Sequence, residues 1–258
     1  MNWLQIVILG IVQGITEFLP VSSSGHLVVV QALFGGDNLE GAVEVNILLH
    51  AGTLAAILTF YWRRIIKLLT SDRRVIGLLI VGTVPIVLVG LPMMKYGSDL
   101  LGSPLLSGCM FVATGVLLIW SSRAAQGEIE YENLNYQRAI LIGLFQAAAV
   151  LPGLSRSGST IAAGLLLGMR REAAATFSFL LAIPAIGGAT LVQCIKLYQG
   201  ESGGTSAGIL LLGALVAYVV GLASLWGLIR LVQRGHLAWF AWWLLPLGLM
   251  VIIWQLTA

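Results

Sequence analysis

Charged residues are scarce in this sequence. Asp, Glu, Lys and Arg together make up 10% of its 258 residues, whereas hydrophobic residues make up 58%. Soluble domains contain about 25% charged residues, so the composition excludes an ordinary soluble protein and predicts an integral membrane protein. The sequence also lacks a run of Lys and Arg interleaved with aromatic residues. We therefore expect membrane lipid, and no nucleic acid, among its partners.

Cysteine and targeting signals are scarce as well. Only Cys109 and Cys194 occur, and both lie in apolar stretches, where a thiol usually acts as a small hydrophobic side chain. Residues 1–19 lack a basic N-terminal region and a small-residue cleavage site. We therefore expect this segment not to be a cleaved signal peptide.

Long apolar runs are abundant. Six of them have the roughly 17–25 residues that a helix needs to cross about 30 Å of hydrocarbon. Two other regions, residues 1–33 and 139–168, hold shorter apolar pieces interrupted at Pro20 and at Pro152-Gly153. These pieces are too short to cross, so each pair is predicted to enter the membrane and return as a re-entrant helical hairpin. The six transmembrane helices are predicted at 43–61, 75–94, 105–122, 173–195, 206–229 and 237–256.

The two interruptions share a pattern. Residues 10–27 (GIVQGITEFLPVSSSGHL) recur loosely in residues 143–160 (GLFQAAAVLPGLSRSGST), at an offset of 133 without a gap. This indicates an internal duplication within one membrane domain, 1–258, with repeat 1 at about 1–125 and repeat 2 at about 134–258. The offset aligns Gly10 with Gly143, Gln13 with Gln146, Ser22 with Ser155, Ser24 with Ser157 and Gly25 with Gly158.

The predicted fold is all-α and polytopic. Each repeat has one hairpin and three crossings, and an odd number of crossings inverts the second repeat relative to the first. Irregular backbone at membrane depth is tolerated only where it is buried in protein or lines a wet cavity. We therefore expect the two hairpins of this inverted-topology repeat to meet near the bilayer midplane.

Lys and Arg are distributed unevenly between the loops, and cytoplasmic loops of membrane proteins collect these residues. If both termini lie outside, eleven of the fourteen fall on the cytoplasmic side and two fall outside, as does the acidic loop with Asp37 and Glu40. The first hairpin then enters from outside and the second from the cytoplasm. The eleven are Arg63, Arg64, Lys67, Arg73, Arg74, Arg123, Arg138, Arg170, Arg171, Arg230 and Arg234; the two are Lys95 and Lys196.

Few ionisable residues remain at membrane depth, where they are costly and usually functional. They are Glu17, His26, His50 and Arg156, with Glu44 near a helix start. The offset aligns Ser23 with Arg156, so a pseudo-twofold axis through the cavity would place the Ser23 hydroxyl opposite the guanidinium. An Arg fork that faces serines, a histidine and an acid is typical of phosphate binding. Helix starts at Ser22-Ser23-Ser24 and at Ser155 add hydroxyls and free amides that favour anions.

Structural explanations compete with this hypothesis. Serines at helix starts can serve only as caps, and small residues in membrane helices commonly serve close packing. Arg156 could form a purely structural ion pair with Glu17. His50 and Glu44 could be satisfied by a neighbouring helix, and tryptophans such as Trp243 fit an interfacial belt.

Both interruptions resemble the signature motifs of a known family. Residues 13–26 (QGITEFLPVSSSGH) and 151–160 (LPGLSRSGST) are similar to the two motifs of undecaprenyl-diphosphate phosphatases, the bacitracin-resistance family. Residues 177–184 (FSFLLAIP) resemble a third family segment, and the resemblance covers essentially the whole chain. It implies that the chain hydrolyses undecaprenyl diphosphate to undecaprenyl phosphate and inorganic phosphate in the bacterial plasma membrane, which recycles the carrier lipid for peptidoglycan synthesis.

The resemblance also implies roles for individual residues. Ser23 is the preferred nucleophile, His26 its base or an alternative nucleophile, and Arg156 a clamp on the phosphoryl group. Glu17 would assist proton transfer or, with Gln13, hold a divalent cation, for which Mg²⁺ is the first expectation and Ca²⁺ the second. Substrate phosphate would be bound by Ser22, Ser24, Gly25, Ser155, Ser157, Gly158 and Thr160.

The sequence departs from the family pattern at two places. Many members have Glu where Gln13 stands, and the segment similar to their Phe-Asp/Glu-Val-x-x-His-Leu-Gly-Thr reads VNILLHAGT at residues 45–53. A metal would then be bound by fewer carboxylates, with the diphosphate oxygens completing its coordination.

Two other functions compete with phosphatase activity of this family. A lipid-carrier flippase or transporter could use the same inverted-repeat site, since broken helices that meet near the midplane are typical of transporters. The other membrane lipid-phosphatase superfamily requires a His where this chain has Ala162.

The entry of Glu17, Ser23 and His26 from outside predicts chemistry on the outer side of the membrane. The oligomeric state is left open, with a homodimer among the possibilities.

Overall fold

The structure, a computed structural model, describes residues 2–33, 42–198 and 206–257. In these ranges the chain is helical throughout, with two 3₁₀ turns at Tyr131–Asn133 and Leu237–Phe240. The loop predicted to carry Asp37 and Glu40 lies outside the described residues. The α-helices are α1 (Trp3–Thr16), α2 (Ser23–Leu33), α3 (Ala42–Phe60), α4 (Trp62–Thr70), α5 (Arg73–Tyr96), α6 (Ser98–Leu101), α7 (Pro104–Ser122), α8 (Tyr136–Ala148), α9 (Arg156–Leu166), α10 (Arg171–Tyr198), α11 (Ala207–Gln233) and α12 (Ala241–Thr257).

In the described part of the chain, five helical segments are long and apolar enough to cross a membrane, which indicates an integral membrane protein. They lie in α5, α7, α10 and α11, and in α12 with the turn before it. A sixth candidate consists of α3 and α4, which meet at a bend of 70°. Five of the predicted spans therefore fall on helices of sufficient length, and the predicted span 43–61 falls on α3, which qualifies only together with α4 across this bend.

The helix α4 was not foreseen from the sequence, which left residues 62–74 outside the predicted spans. Leu68 is buried while Arg63 and Lys67 are exposed, so one face of this helix packs on the protein and the other is basic. Three cations in nine residues interrupt the apolar run, although they keep a helical period. The basic segment after α3 is therefore a helix and not an irregular loop.

Small residues let distant helices pack closely. A Cβ on Gly10 of α1 would lie 2.9 Å from the carbonyl oxygen of Gly213 in α11. A Cβ on Gly143 of α8 would lie 2.3 Å from the carbonyl oxygen of Gly82 in α5. Close approach of this kind is how membrane helices gain van der Waals contact without a hydrophobic driving force. Each of the two short entering helices thus packs on a helix of the other half of the chain.

Candidate functional site

The two interruptions meet inside the helix bundle. Gly25, in the first turn of α2, packs directly on Gly153, since a Cβ on Gly25 would lie 2.5 Å from the Gly153 backbone. The Gly153 amide donates to Ser22 Oγ at 3.1 Å. The Ser157 hydroxyl donates to the carbonyl of Leu19 at 3.3 Å. The breaks before α2 and α9 are therefore in contact, as the sequence predicted for the two motif copies.

Local sequence explains why each chain reverses there. In the first break, Ser22 has a φ of 66° and Pro20 has no amide hydrogen to continue α1. In the second break, Gly153 has a φ of 93°, which favours glycine. Thr114 of α7 fixes this turn, because its hydroxyl donates to the Gly153 carbonyl at 2.9 Å and accepts from the Ser155 amide at 3.2 Å.

Both helices after the breaks begin with free amides. The first residues of a helix lack intrahelical acceptors. At the start of α2 and of α9, the amides of Gly25 and Gly158 are bonded to Ser22 Oγ and Ser155 Oγ respectively. Ser23 and Ser24 lie between the cap and the bonded amide in α2, and Arg156 and Ser157 lie between them in α9. Within the described part of the chain, no protein acceptor binds the amides of these four residues. The contact of the breaks thus brings two sets of free donors into one region.

Glu17 is the centre of a buried polar cluster. Its Oε1 accepts from Arg156 Nη2 at 2.6 Å, and the two side chains are 9% and 15% exposed. Its Oε2 accepts from Gln13 Nε2 at 3.2 Å. His50 Nε2 lies 3.7 Å from the same oxygen, while His50 Nδ1 bonds the carbonyl of Asn46 at 2.8 Å. The ion pair weighed as an alternative is therefore present, and His50 belongs to the cluster.

The Arg156 guanidinium is only partly satisfied by this ion pair. Nη1 is buried and has no hydrogen-bond partner among the described residues. A buried guanidinium nitrogen without an acceptor is costly, because it loses water without gaining a bond. An anion beside Glu17 would supply the acceptor that the protein does not.

His26 is held by three neighbours. Its Nδ1 lies 2.8 Å from the Ser22 carbonyl oxygen, which can only accept, so Nδ1 carries the proton. The indole N–H of Trp243 donates to Nε2 at 3.0 Å. The ring of Phe111 packs against it with centroids 4.8 Å apart. In this arrangement the imidazole is neutral, in one tautomer, and has no nitrogen available to Ser23.

The predicted serine and threonine hydroxyls differ in their availability. Ser155 Oγ caps α9, and Thr160 Oγ1 lies 2.6 Å from Ser178 Oγ in α10, with both residues buried. Ser24 is exposed, and Ser23 is half-buried with its hydroxyl unbonded to any described residue. Ser159 Oγ also has no partner among the described residues, but it is buried, so the unbonded motif hydroxyl that a substrate can reach is that of Ser23.

Known proteins match nearly the whole length of the chain. A family profile described as "Bacitracin resistance protein BacA" covers residues 6–250. The chain belongs to the BacA family. It is 50% identical over 251 residues to the undecaprenyl-diphosphatase of Rhodopirellula baltica, with 97% of each chain covered. It is 39% identical over 258 residues to undecaprenyl-diphosphatase 4 of Bacillus cereus, with 100% of this chain and 99% of the relative covered.

A more distant BacA relative gives the same picture. The undecaprenyl-diphosphatase of Methanosphaera stadtmanae is 37% identical over 273 residues, with 97% of each chain covered. The family resemblance drawn from the two motifs is therefore confirmed. The roles assigned to individual motif residues are not tested by these matches and stay predictions.

Three residues of the site in this BacA chain are absent from the site residues predicted from the sequence. Trp243 was assigned to an interfacial belt, Thr114 was not considered, and His50 was ranked behind the motif residues. Trp243 and Thr114 act through contacts with residues far away in sequence, which leave no local pattern. His50 could have been ranked higher, because it supplies the His of the segment at residues 45–53 (VNILLHAGT) that is similar to a family pattern.

Replacing Trp243 tests how His26 is held. Trp243→Phe removes the indole donor, so His26 Nε2 should lose its hydrogen bond while Nδ1 keeps its proton on the Ser22 carbonyl. We expect the ¹⁵N resonance of Nε2 to move to the position of a free imidazole nitrogen. The neighbouring Trp242→Phe is the control, because Trp242 is 83% exposed. Identical ¹⁵N spectra for the two variants would contradict this geometry.

Proposed function

We propose that this chain is an undecaprenyl-diphosphatase: it hydrolyses undecaprenyl diphosphate to undecaprenyl phosphate and inorganic phosphate. The membership in the BacA family and the names of its relatives, which align over nearly their whole length, support this function. In a bacterium the reaction returns the carrier lipid to peptidoglycan synthesis, and it accounts for the bacitracin resistance after which the family is named.

The observation that carries the proposal is the unpaired Nη1 of Arg156. It is a buried cationic donor, it lies beside Glu17, and it stands at the start of α9, whose break touches the start of α2. Phosphoryl transfer needs mainly positioning and neutralisation of charge. One guanidinium with the free amides of two helix starts supplies both for a terminal phosphate.

We assign the chemical steps to the first motif. Ser23 Oγ attacks the terminal phosphorus, undecaprenyl phosphate leaves, and water then hydrolyses the phosphoserine to release inorganic phosphate. His26 can take the Ser23 proton only after Trp243 releases Nε2. Glu17 holds the guanidinium in place. The amides and hydroxyls of the two helix starts bind the phosphate oxygens: Ser22, Ser24, Gly25, Ser155, Ser157, Gly158 and Thr160.

A divalent cation fits the site only together with substrate. In the described part of the chain no group of three or more His, Cys, Asp or Glu residues could hold a metal. Glu17 Oε1 is bonded to Arg156 and Oε2 accepts from Gln13 Nε2. A cation would therefore take Oε2 and the amide oxygen of Gln13 in place of this second hydrogen bond. Mg²⁺, or Ca²⁺ as the alternative, would be held by these two residues and by diphosphate oxygens, and would neutralise phosphate charge.

The membrane arrangement is part of the same proposal. Two hairpins and six spans form an inverted repeat in the plasma membrane, with both termini and the site facing outward. Support comes from two equivalent contacts between the halves. Gly10 of the first half packs on Gly213 of the second, and Gly143 of the second half packs on Gly82 of the first, at nearly the offset of the motifs. The uneven distribution of Lys and Arg supports the orientation.

The transporter alternative is not favoured. The relatives are named as phosphatases, and a flippase would need no nucleophile with a free hydroxyl. Detergent-solubilised protein separates the two functions, because hydrolysis needs no compartments whereas transport does. Phosphate release in detergent supports the enzyme.

The nucleophile can be tested directly. Ser23→Ala should lower phosphate release from undecaprenyl diphosphate by at least about 10³-fold, since no phosphoserine can form. Rapid quenching with substrate labelled at the terminal phosphate should place the label on Ser23 in the unmodified chain. Ser122→Ala, a serine at the far end of α7, is the matched control. A label on His26, or full activity of Ser23→Ala, would reassign the nucleophile.

A further inference from the structure

An apolar groove separates α5 from α10 beside the second break. Its volume is about 320 Å³, and its walls include Gly90 on α5, Gly188 and Ala189 on α10, and Val150 after α8. A second hollow of about 290 Å³ shares Thr83, Val87 and Pro184 with it and extends it along α5. The only hydroxyl in these walls, that of Thr83, is bonded to the carbonyl of Leu79 at 2.6 Å. Among the described residues, the walls of the groove therefore offer no free side-chain donor or acceptor.

The groove is a difference between the two halves of the chain. The 133 offset carries α5 onto α11 and α3 onto α10, so the counterpart of the α5–α10 pair is the pair α11–α3. That pair is closed: a Cβ on Gly52 would lie 2.3 Å from the carbonyl oxygen of Ala214. In the α5–α10 pair, a Cβ on Gly188 would meet nothing within 4 Å. A Cβ on Gly90 would meet, outside its own helix, only the side chain of Val150, at 3.8 Å. At these glycines the α5–α10 pair is thus open where the α11–α3 pair is closed.

One end of the groove lies at Val150, next to the second break. Val150 stands two residues before Pro152-Gly153, the break that leads to Arg156. It occupies the position equivalent to Glu17, so one motif copy provides the acid and the other an apolar wall. The helix α10 joins both regions, because Ser178 bonds Thr160 of the phosphate hairpin and Pro184 lines the groove. The other end of the groove opens on the apolar outer face, where Val87 and Leu91 are exposed.

We infer that the α5–α10 groove binds the first isoprene units of the substrate's polyprenyl tail while its diphosphate lies at Arg156. This inference rests on the proposed function, and it assigns recognition of the substrate's polyprenyl tail to the groove. Glycine and alanine on one wall face branched side chains on the other, which leaves room for a methyl-branched chain. Since lipid is as apolar as the groove, selection would come from van der Waals fit rather than from removal of water.

Filling the groove tests the inference. Gly188→Leu places a side chain in open space, so it should not disturb helix packing. We expect kcat/KM for undecaprenyl diphosphate to fall at least about tenfold, and kcat/KM for methyl diphosphate, which has no isoprene unit, to remain unchanged. Gly227→Leu on α11 is the matched control, because a Cβ on Gly227 also meets nothing within 4 Å.

The outcomes are separable. If the unmodified chain releases no phosphate from either substrate, the proposed function fails. If Gly188→Leu and Gly227→Leu match on both substrates, the groove holds only ordinary bilayer lipid and the inference is wrong. A polyprenyl diphosphate with a diazirine in its first isoprene unit gives a second measurement that needs no variant. Labelling within residues 83–91 or 184–192 supports the inference, and labelling confined to α3 and α11 overturns it.

Discussion

Arg156→Ala is expected to abolish phosphate release from undecaprenyl diphosphate. Loss of a preorganised cationic donor typically lowers turnover by about 10²–10³-fold, and this variant removes the guanidinium that is proposed to bind the terminal phosphate. The same variant leaves the Glu17 carboxylate buried without its partner. Breaking a buried ion pair in this way costs about 3–5 kcal/mol, so a lower unfolding temperature in detergent is expected as well. Activity and stability therefore have to be measured together.

A double variant separates the two effects. Glu17→Gln with Arg156→Met removes both charges, and an ion pair replaced by neutral groups of similar size often costs little stability. We expect this protein to regain most of the unfolding temperature lost by Arg156→Ala and still to release no phosphate. Substantial turnover by the double variant would make the ion pair a structural element and remove Arg156 from the catalytic residues.

Gly153→Ala is expected to prevent the two breaks from meeting. The added Cβ would lie 2.2 Å from the carbonyl oxygen of Ser107, at a residue whose φ is 93°. Strain and overlap together should lower the free energy of unfolding by about 3–5 kcal/mol. Ser22 and Thr114 bond the amide and carbonyl of Gly153, so any shift of this turn also moves the start of α2. Thermal unfolding and yield of folded protein report the effect.

Gly168→Ala is the matched control for this prediction. Gly168 has a φ of 84°, but a Cβ there would meet only Ile129 Cδ1, at an ordinary 3.6 Å. This variant therefore isolates the backbone strain, which costs about 1–2 kcal/mol. Equal losses for the two variants would mean that the contact of Gly153 with α7 contributes nothing.

Local patterns in the sequence predict much of the architecture. Apolar runs locate the long helices because a membrane span needs continuous hydrophobic residues. Pro20 and Pro152-Gly153 locate the breaks because backbone chemistry ends a helix there. Charge in an apolar setting singles out Glu17 and Arg156 because burial is costly. Each of these signals lies within a few residues of the feature that it predicts.

What the sequence does not reveal depends on contacts between distant residues. Trp243 lies 217 residues from His26, so nothing near either residue announces their hydrogen bond. The helix α4 was missed for a different reason, since three cations end an apolar run without ending a helix. The α5–α10 groove follows from how far two helices diverge, which composition does not encode.

The packing of α1 on α11 has a consequence for biosynthesis. The two helices pack closely, since a Cβ added to Gly213 would lie 2.6 Å from Ile6 Cγ1. These two residues are about 200 positions apart in the sequence. At about 5–20 residues per second, the ribosome needs roughly 10–40 s to reach α11 after it has made α1. During this interval the hairpin with Glu17 lacks its packing helix, and for most of the interval Arg156 has not been made either. We therefore expect the nascent first hairpin to wait at the membrane surface and to enter the bundle late in synthesis.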